Sequence, residues 1–215
     1  MSHRIHNIFY LLQNDLDGYI RNFSQSDFCA RKCRDKSEYI NNMFKDFALT
    51  ISESTYCKEK LNKFIPEADK KLSKLSKDFS KIDWDIVLFR GNYYENGISH
   101  TRFNTIFLPL RVFDYSDEQF TRLLCHEKIH LFQRMFPDHM LVKNYMKNYK
   151  KITNCKDFSP LVRSNPDMDG FIYSNSEGEV MCYLYASNNP SCINDVKMLS
   201  KFEHPFEQMA IEWSK

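Results

Sequence analysis

The chain has 215 residues, with 30 Lys and Arg against 28 Asp and Glu, a formal net charge of +2. That near balance excludes the strong field of a nucleic-acid or membrane-surface protein, and no stretch reaches the roughly 18 apolar residues of a membrane span. Hydrophobic residues at 42% suffice for a core, while only 5 glycines argue against a glycine-rich nucleotide-binding fold.

Asn14, Asp15 and Asp17 stand where a signal peptide would need its apolar segment. The 7 cysteines are odd in number and follow no disulfide framework. Both features point to an intracellular, cytoplasmic protein. Cys29 and Cys33 are expected to be reduced helix residues, because no second ligand pair follows them.

The N-terminal third reads as helices. Ile5, Ile8, Phe9, Leu12, Leu16, Tyr19, Ile20 and Phe23 keep a spacing of three or four, which lines one helical face. Ser37 can cap a second helix with Ile40, Met43, Phe44 and Phe47 on its buried side. Ser54 opens a third, through Cys57 and Leu61 to Phe64, and Pro66 starts a fourth bearing Leu72, Leu75 and Phe79. The lysines of residues 58–81 read as a solvated helix face.

The pattern changes near residue 82. Trp84 and residues 86–89 make a strand-like run closed by Gly91, and after the Asn96-Gly97 turn signal residues 101–109 read as a second strand, antiparallel to the first. Ser116 with Gln119 three positions on forms a capping box, followed by the apolar face Phe120, Leu123, Leu124, Leu131, Phe132 and Met135, and Pro137 ends that helix. Asn165-Pro166-Asp167 and Asp169-Gly170 are turn signals, and residues 171–173 with 180–185 read as a small hairpin. Pro205 starts a last helix. The expected architecture is α+β: a helical region over residues 1–80, then a unit over 81–215 with a small, mostly antiparallel sheet, the two continuous if no linker separates them.

Within the capped helix stands His126-Glu127-Lys128-Ile129-His130, an HExxH motif. Residues four apart share a helix face, so both imidazoles can converge on one zinc ion, with Glu127 beside it as general base. A catalytic zinc needs a third protein ligand. Gln133 and Phe136 stand where a metzincin would carry Gly and His, and His139 lies past Pro137. A glutamate on a second helix remains: Glu207, just inside the helix opened by Pro205, with the small Ala210 on its side allowing close approach. Glu203, Glu179 and Glu177 stay open as alternatives. Cys125 points about 100° away from His126 on the helix and is expected in the core.

The HExxH helix plus a later helical glutamate resembles the gluzincin class of zinc metallopeptidases. Residues 100–102, 124–134, 165–167, 185–195 and 203–210 are similar to zincin-like proteins encoded by large DNA viruses, the likeness spanning roughly residues 84–213. The resemblance implies an upstream edge strand, residues 103–108, that holds extended substrate by backbone pairing. It also implies a donor to the oxyanion, for which His204 is favoured over Tyr173, Tyr183 and Tyr185. The expected function is a zinc-dependent peptidase acting on a protein or peptide substrate, with Glu127 as base and then as proton donor to the leaving amine. A zinc hydrolase of another amide and a non-catalytic binding module are the alternatives.

Overall fold

The computed structural model describes residues 2–47, 49 and 51–215. The helices are α1 (Ser2–Gln13), α2 (Gln25–Ala30), α3 (Lys36–Asp46), α4 (Ile51–Leu72), α5 (Asp117–Met135), α6 (Met140–Met146), α7 (Cys155–Phe158) and α8 (Pro205–Trp213). The strands are β1 (Ile86–Phe89), β2 (His100–Arg102), β3 (Thr105–Pro109), β4 (Lys150–Asn154), β5 (Phe171–Ser174), β6 (Val180–Met181), β7 (Tyr183–Tyr185) and β8 (Val196–Met198). They form three small sheets, ordered β1-β3-β2, β4-β5-β6 and β7-β8. The architecture is mixed helix and sheet, and no described helix is long and apolar enough to cross a membrane.

Several local expectations change. The stripe expected across residues 5–23 is not one helix: α1 stops at Gln13, Asp15 takes a left-handed φ of 53°, and its carboxylate accepts the N–H groups of Ile20 and Arg21 at 2.8 and 2.7 Å. Of that stripe, the side chain of Ile5 lies outside the described residues. Asp35 rather than Ser37 caps α3, accepting from Glu38 N–H at 2.9 Å. The third and fourth helices are one, since α4 carries Pro66 inside it. Its packed side, Cys57, Leu61, Phe64, Ala68 and Leu72, runs unbroken through the proline, and burial of that side outweighs the one lost backbone bond. Phe79 belongs to a 3-10 turn, Lys77–Lys81, after the helix. The lysines of residues 58–81 do form the exposed side, Lys60 alone being partly covered.

The strand expected over residues 101–109 is a hairpin, because Phe103 adopts a φ of 54° and the chain reverses there. β1 then pairs β3 in parallel, not antiparallel. β3 sits between β1 and β2, so residues 103–108 do not make the edge expected of them; the edges of this sheet are β1 and β2. The later hairpin is split in the same way: β5 pairs β6, but β7 turns away to pair β8.

Beside two small apolar clusters, the described residues form two large ones in the interior. The larger joins α4 (Phe64, Ala68, Leu72), β3 (Ile106, Leu108), α5 (Leu124, Ile129, Leu131, Phe132) and α8 (Met209, Ala210). The other joins α1, α3 and the opposite face of the first sheet through Leu12, Met43, Phe89 and Phe107. Both clusters draw on residues from each side of position 80.

α5 lies at the centre of this arrangement. Ser116 and Gln119 exchange both capping-box bonds, at 3.3 and 3.2 Å, so its first turn has local acceptors. Lys128, inside the motif, reaches Asp69 of α4 at 2.8 Å and lies over the Trp84 ring. Cys125 is buried, its Sγ 3.8 Å from the Ala68 carbonyl, as its helix angle requires. On the far side α8 packs on α5 with Met209 and Ala210 fully buried, the close approach that a small residue permits.

Candidate metal centre

His126 and His130 are one turn apart on α5, and Glu207 stands in the first turn of α8. The three offer ligand atoms to one point and are the one such group of His, Cys, Asp and Glu among the described residues. His126 Nε2 and His130 Nε2 are 3.0 Å apart, and Glu207 Oε2 is 3.5 and 3.7 Å from them. Ligand atoms that each lie 2.0–2.1 Å from a tetrahedral ion are separated by about 3.3–3.4 Å. The three observed separations bracket that value. The trio could hold a metal ion and leave one position open.

Two members of the trio, His130 and Glu207, are each oriented by a neighbour. Gln133, one turn after His130, donates from Nε2 to the Phe206 carbonyl at 3.0 Å, which turns its Oε1 towards His130 Nδ1 at 2.9 Å. Nδ1 therefore carries the hydrogen, and the lone pair of a neutral His130 is on Nε2, the atom facing the centre. Gln133 also ties α5 to α8. Asn165 donates to Glu207 Oε1 at 3.0 Å, so Oε2 is the oxygen left for the centre.

Glu127 is buried, and its Oε2 has no hydrogen-bond partner among the described residues. A buried orphan acceptor is costly, and one next to a ligand cluster fits a site built to receive water or substrate. Burial pushes its carboxyl well above the usual range, with Asp167 adding to the rise and His130 opposing it. Asp167 accepts from Thr101 N–H at 2.8 Å and from the Thr101 hydroxyl at 2.5 Å. Arg134 of α5 donates to the carbonyls of Phe103, Thr101 and Pro166, joining the β2–β3 turn and the 165–167 segment to the motif helix.

Burial disfavours charge on His130, yet Asp167 and Glu207 outweigh it and lift its pKa to about 10. Glu207 is held well below the carboxylate range: burial opposes this, but the charges and hydrogen bonds of His130 and His126 prevail.

The other expected residues lie elsewhere. Glu203 is buried and held by both Arg163 Nε, at 2.8 Å, and Arg163 Nη2. Glu177 and Glu179 are exposed on the β5–β6 turn, outside the cluster. Of the four carboxylates weighed, only Glu207 joins the histidines. His204 is not brought to the site. Its Nδ1 accepts from Phe206 N–H at 3.1 Å, capping α8, and its Nε2 meets Asp169 at 3.1 Å. With both ring nitrogens engaged it has no donor left for an oxyanion. Tyr173 meets Asp169 and Tyr185 meets Asp27, each within its own network. Tyr183 lines the cleft but donates to the Lys201 carbonyl at 3.1 Å.

A cleft of about 380 Å³ opens beside the trio, with His126, Glu207, Asn165, Asp167, Ser99 and His100 among its walls. Of the described residues among 1–80, Arg31 alone lines it. The sequence reading missed Gln133, Asn165 and Asp167. Gln133 had a signal in its spacing, three after His130 on the same face, whereas the 165–167 segment showed only as a turn. No protein-family model, curated protein or solved structure matches this chain, so its chemistry is argued from these side chains.

Proposed function

We propose that the chain is a zinc-dependent hydrolase of amide bonds, with a protein or peptide as substrate. The observation that carries this reading is the unpartnered Oε2 of buried Glu127 beside a tetrahedrally spaced His126, His130 and Glu207 trio. A purely structural zinc site uses four protein ligands and needs no base. Zinc held by that trio would lower the pKa of a water towards 7 and polarise the substrate carbonyl.

Glu127 takes a proton from the attacking water as the water oxygen bonds to the carbonyl carbon. It then gives that proton to the nitrogen as the C–N bond breaks. Gln133 and Asn165 keep the ligand atoms aimed inward, and the enclosing α5, α8 and 165–167 segment limit access of bulk water.

One observation favours a second substrate class. The outer edge of β2, where an extended peptide would pair, is occupied at Thr101: its N–H is taken by Asp167 and its carbonyl by Arg134. A shorter, non-peptide amide would need no such edge. Incubating the zinc-loaded protein with a mixed peptide library tests the reading, with Glu127→Gln in parallel. Cleavage by wild type, and none by a variant that still holds zinc, is expected. Zinc bound without any cleaved peptide would favour the second class, and cleavage by Glu127→Gln would remove Glu127 as base.

A further inference from the structure

The N-terminal helices reach the metal trio through one buried polar chain. Arg31, just after α2, is 2% exposed. Its Nε donates to both oxygens of Glu95 at 3.1 and 3.0 Å, Nη1 to the Asp27 carbonyl and the Tyr185 hydroxyl at 3.1 Å each, and Nη2 to the Tyr19 hydroxyl at 2.7 Å. Nη2 also lies 3.0 Å from Glu95 Oε2 and donates to the carbonyl of Ser164 at 2.9 Å. Asp27, on α2, accepts the Ser164 N–H on Oδ1 and the Ser164 hydroxyl on Oδ2, both at 2.9 Å. Every polar group of Ser164 therefore ends on Asp27 or Arg31.

The next residue is Asn165. Its Oδ1 accepts Asp167 N–H at 2.9 Å, and its Nδ2 donates to Glu203 Oε2 at 3.1 Å and Glu207 Oε1 at 3.0 Å. Both amide hydrogens are used, so rotating the amide would break every bond it makes. Arg163 neutralises Glu203 on the other side, which lets two carboxylates share one amide. An apolar contact would join α2 to this segment at least as stably, because a buried ion pair gives little net stability over packed hydrophobic residues. What a directional network adds is position.

We infer that the N-terminal helices are a positioning arm of the metal site: Asp27 and Arg31 fix Ser164, and through it the Asn165 amide that decides which oxygen of Glu207 faces His126 and His130. The inference rests on the metal reading of that trio. On this account residues 1–80 do not cover the cleft as an inhibitory segment. They raise the affinity of the site for its ion.

The test is a double-mutant cycle on zinc affinity, measured by competition with a chromophoric chelator, with the visible spectrum of bound Co²⁺ as a report on ligand geometry. Asn165→Ala is expected to weaken zinc binding about 10–100-fold, as loss of a ligand's outer partner does. Asp27→Asn is expected to weaken it in the same direction and to alter the Co²⁺ spectrum in the same way. Because Asp27 acts through Asn165, the double variant should bind zinc within about twofold of Asn165→Ala alone. Multiplying losses, or wild-type affinity in Asp27→Asn, would overturn the inference. If Asp27→Asn does not fold, Ser164→Ala removes a single hydroxyl of the same chain and takes its place in the cycle. A wild type that binds no zinc would refute the metal reading itself, and the two failures are thereby told apart.

Discussion

Replacing Gln133 by leucine separates the packing role of this side chain from its role at the metal. Gln133 is 2% exposed, accepts from His130 Nδ1 and donates to the Phe206 carbonyl. In Gln133→Leu the buried Nδ1–H loses its acceptor, which costs about 1–3 kcal/mol, and the lost bond to Phe206 costs about 0.5–1.5 kcal/mol more. The metal-free variant should therefore unfold with about 2–4 kcal/mol less stability in urea. Zinc affinity should fall separately, about 10–100-fold, because His130 is free to turn or to change tautomer. Gln133→Glu keeps an acceptor for Nδ1–H while losing the Phe206 bond, so it should lose stability but hold zinc much better than Gln133→Leu. Urea unfolding with a chelator present and zinc titration by competition give the two numbers. Wild-type zinc affinity in Gln133→Leu, alongside the lost stability, would mean that Gln133 ties α5 to α8 and does nothing for the ligand.

In the metal-free protein the raised carboxyl of buried Glu127 costs stability as pH rises from about 4.3, and two further shifts of opposite sign act on that background. His130 is raised to about 10, so its stabilising contribution is complete below its unfolded value of about 6.5 and is lost as pH rises through 10. Glu207 is lowered, so its contribution is present above about 4.3 and is lost in acid. With chelator, the urea midpoint should fall on both sides of a maximum between these limits. Zinc should flatten the alkaline limb, and parallel curves with and without zinc would contradict the assignment. A third prediction concerns the core under the site: Phe132 is fully buried and stacks on Phe79 at 4.3 Å, so Phe132→Ala should cost about 3–5 kcal/mol in urea. A loss below 1 kcal/mol would mean that the stack contributes little.

The parts of the molecule legible in the sequence are those set by local chemistry. The capping box of Ser116 and Gln119, the apolar stripe of α5 and the Pro205 start of α8 need only neighbours within a turn or two. They bring His126, His130 and Glu207 together because these residues ride on those helices. Pro66 misled because a proline suits a helix start, while its tolerance inside α4 depends on packing against α5 and β3. The reversal at Phe103 was hidden because an aromatic residue with positive φ carries no turn signature, and the antiparallel expectation for β1 and β3 followed from missing it. β4, which reads Lys150-Lys-Ile-Thr-Asn, lacks apolar alternation because most of it is exposed.

The long-range polar network was illegible for a related reason. Asn165 shows in sequence as a turn former, and its Asp167 bond is indeed local. Its grip on Glu207, 42 positions away, has no periodicity to reveal it. Arg31 and Glu95 likewise meet across 64 positions, and each alone reads as an ordinary surface charge.

Metal content tests the central claim most directly. Purified wild type, Glu207→Ala and His126→Ala should be equilibrated with limiting zinc, freed of loosely bound ion, and analysed for elemental zinc per chain. The account predicts about one zinc in wild type and a large loss in both variants, as a three-ligand site requires. Zinc retained in Glu207→Ala would remove α8 from the site. A wild type that takes up no zinc would show that His126, His130 and Glu207 converge without a metal to hold.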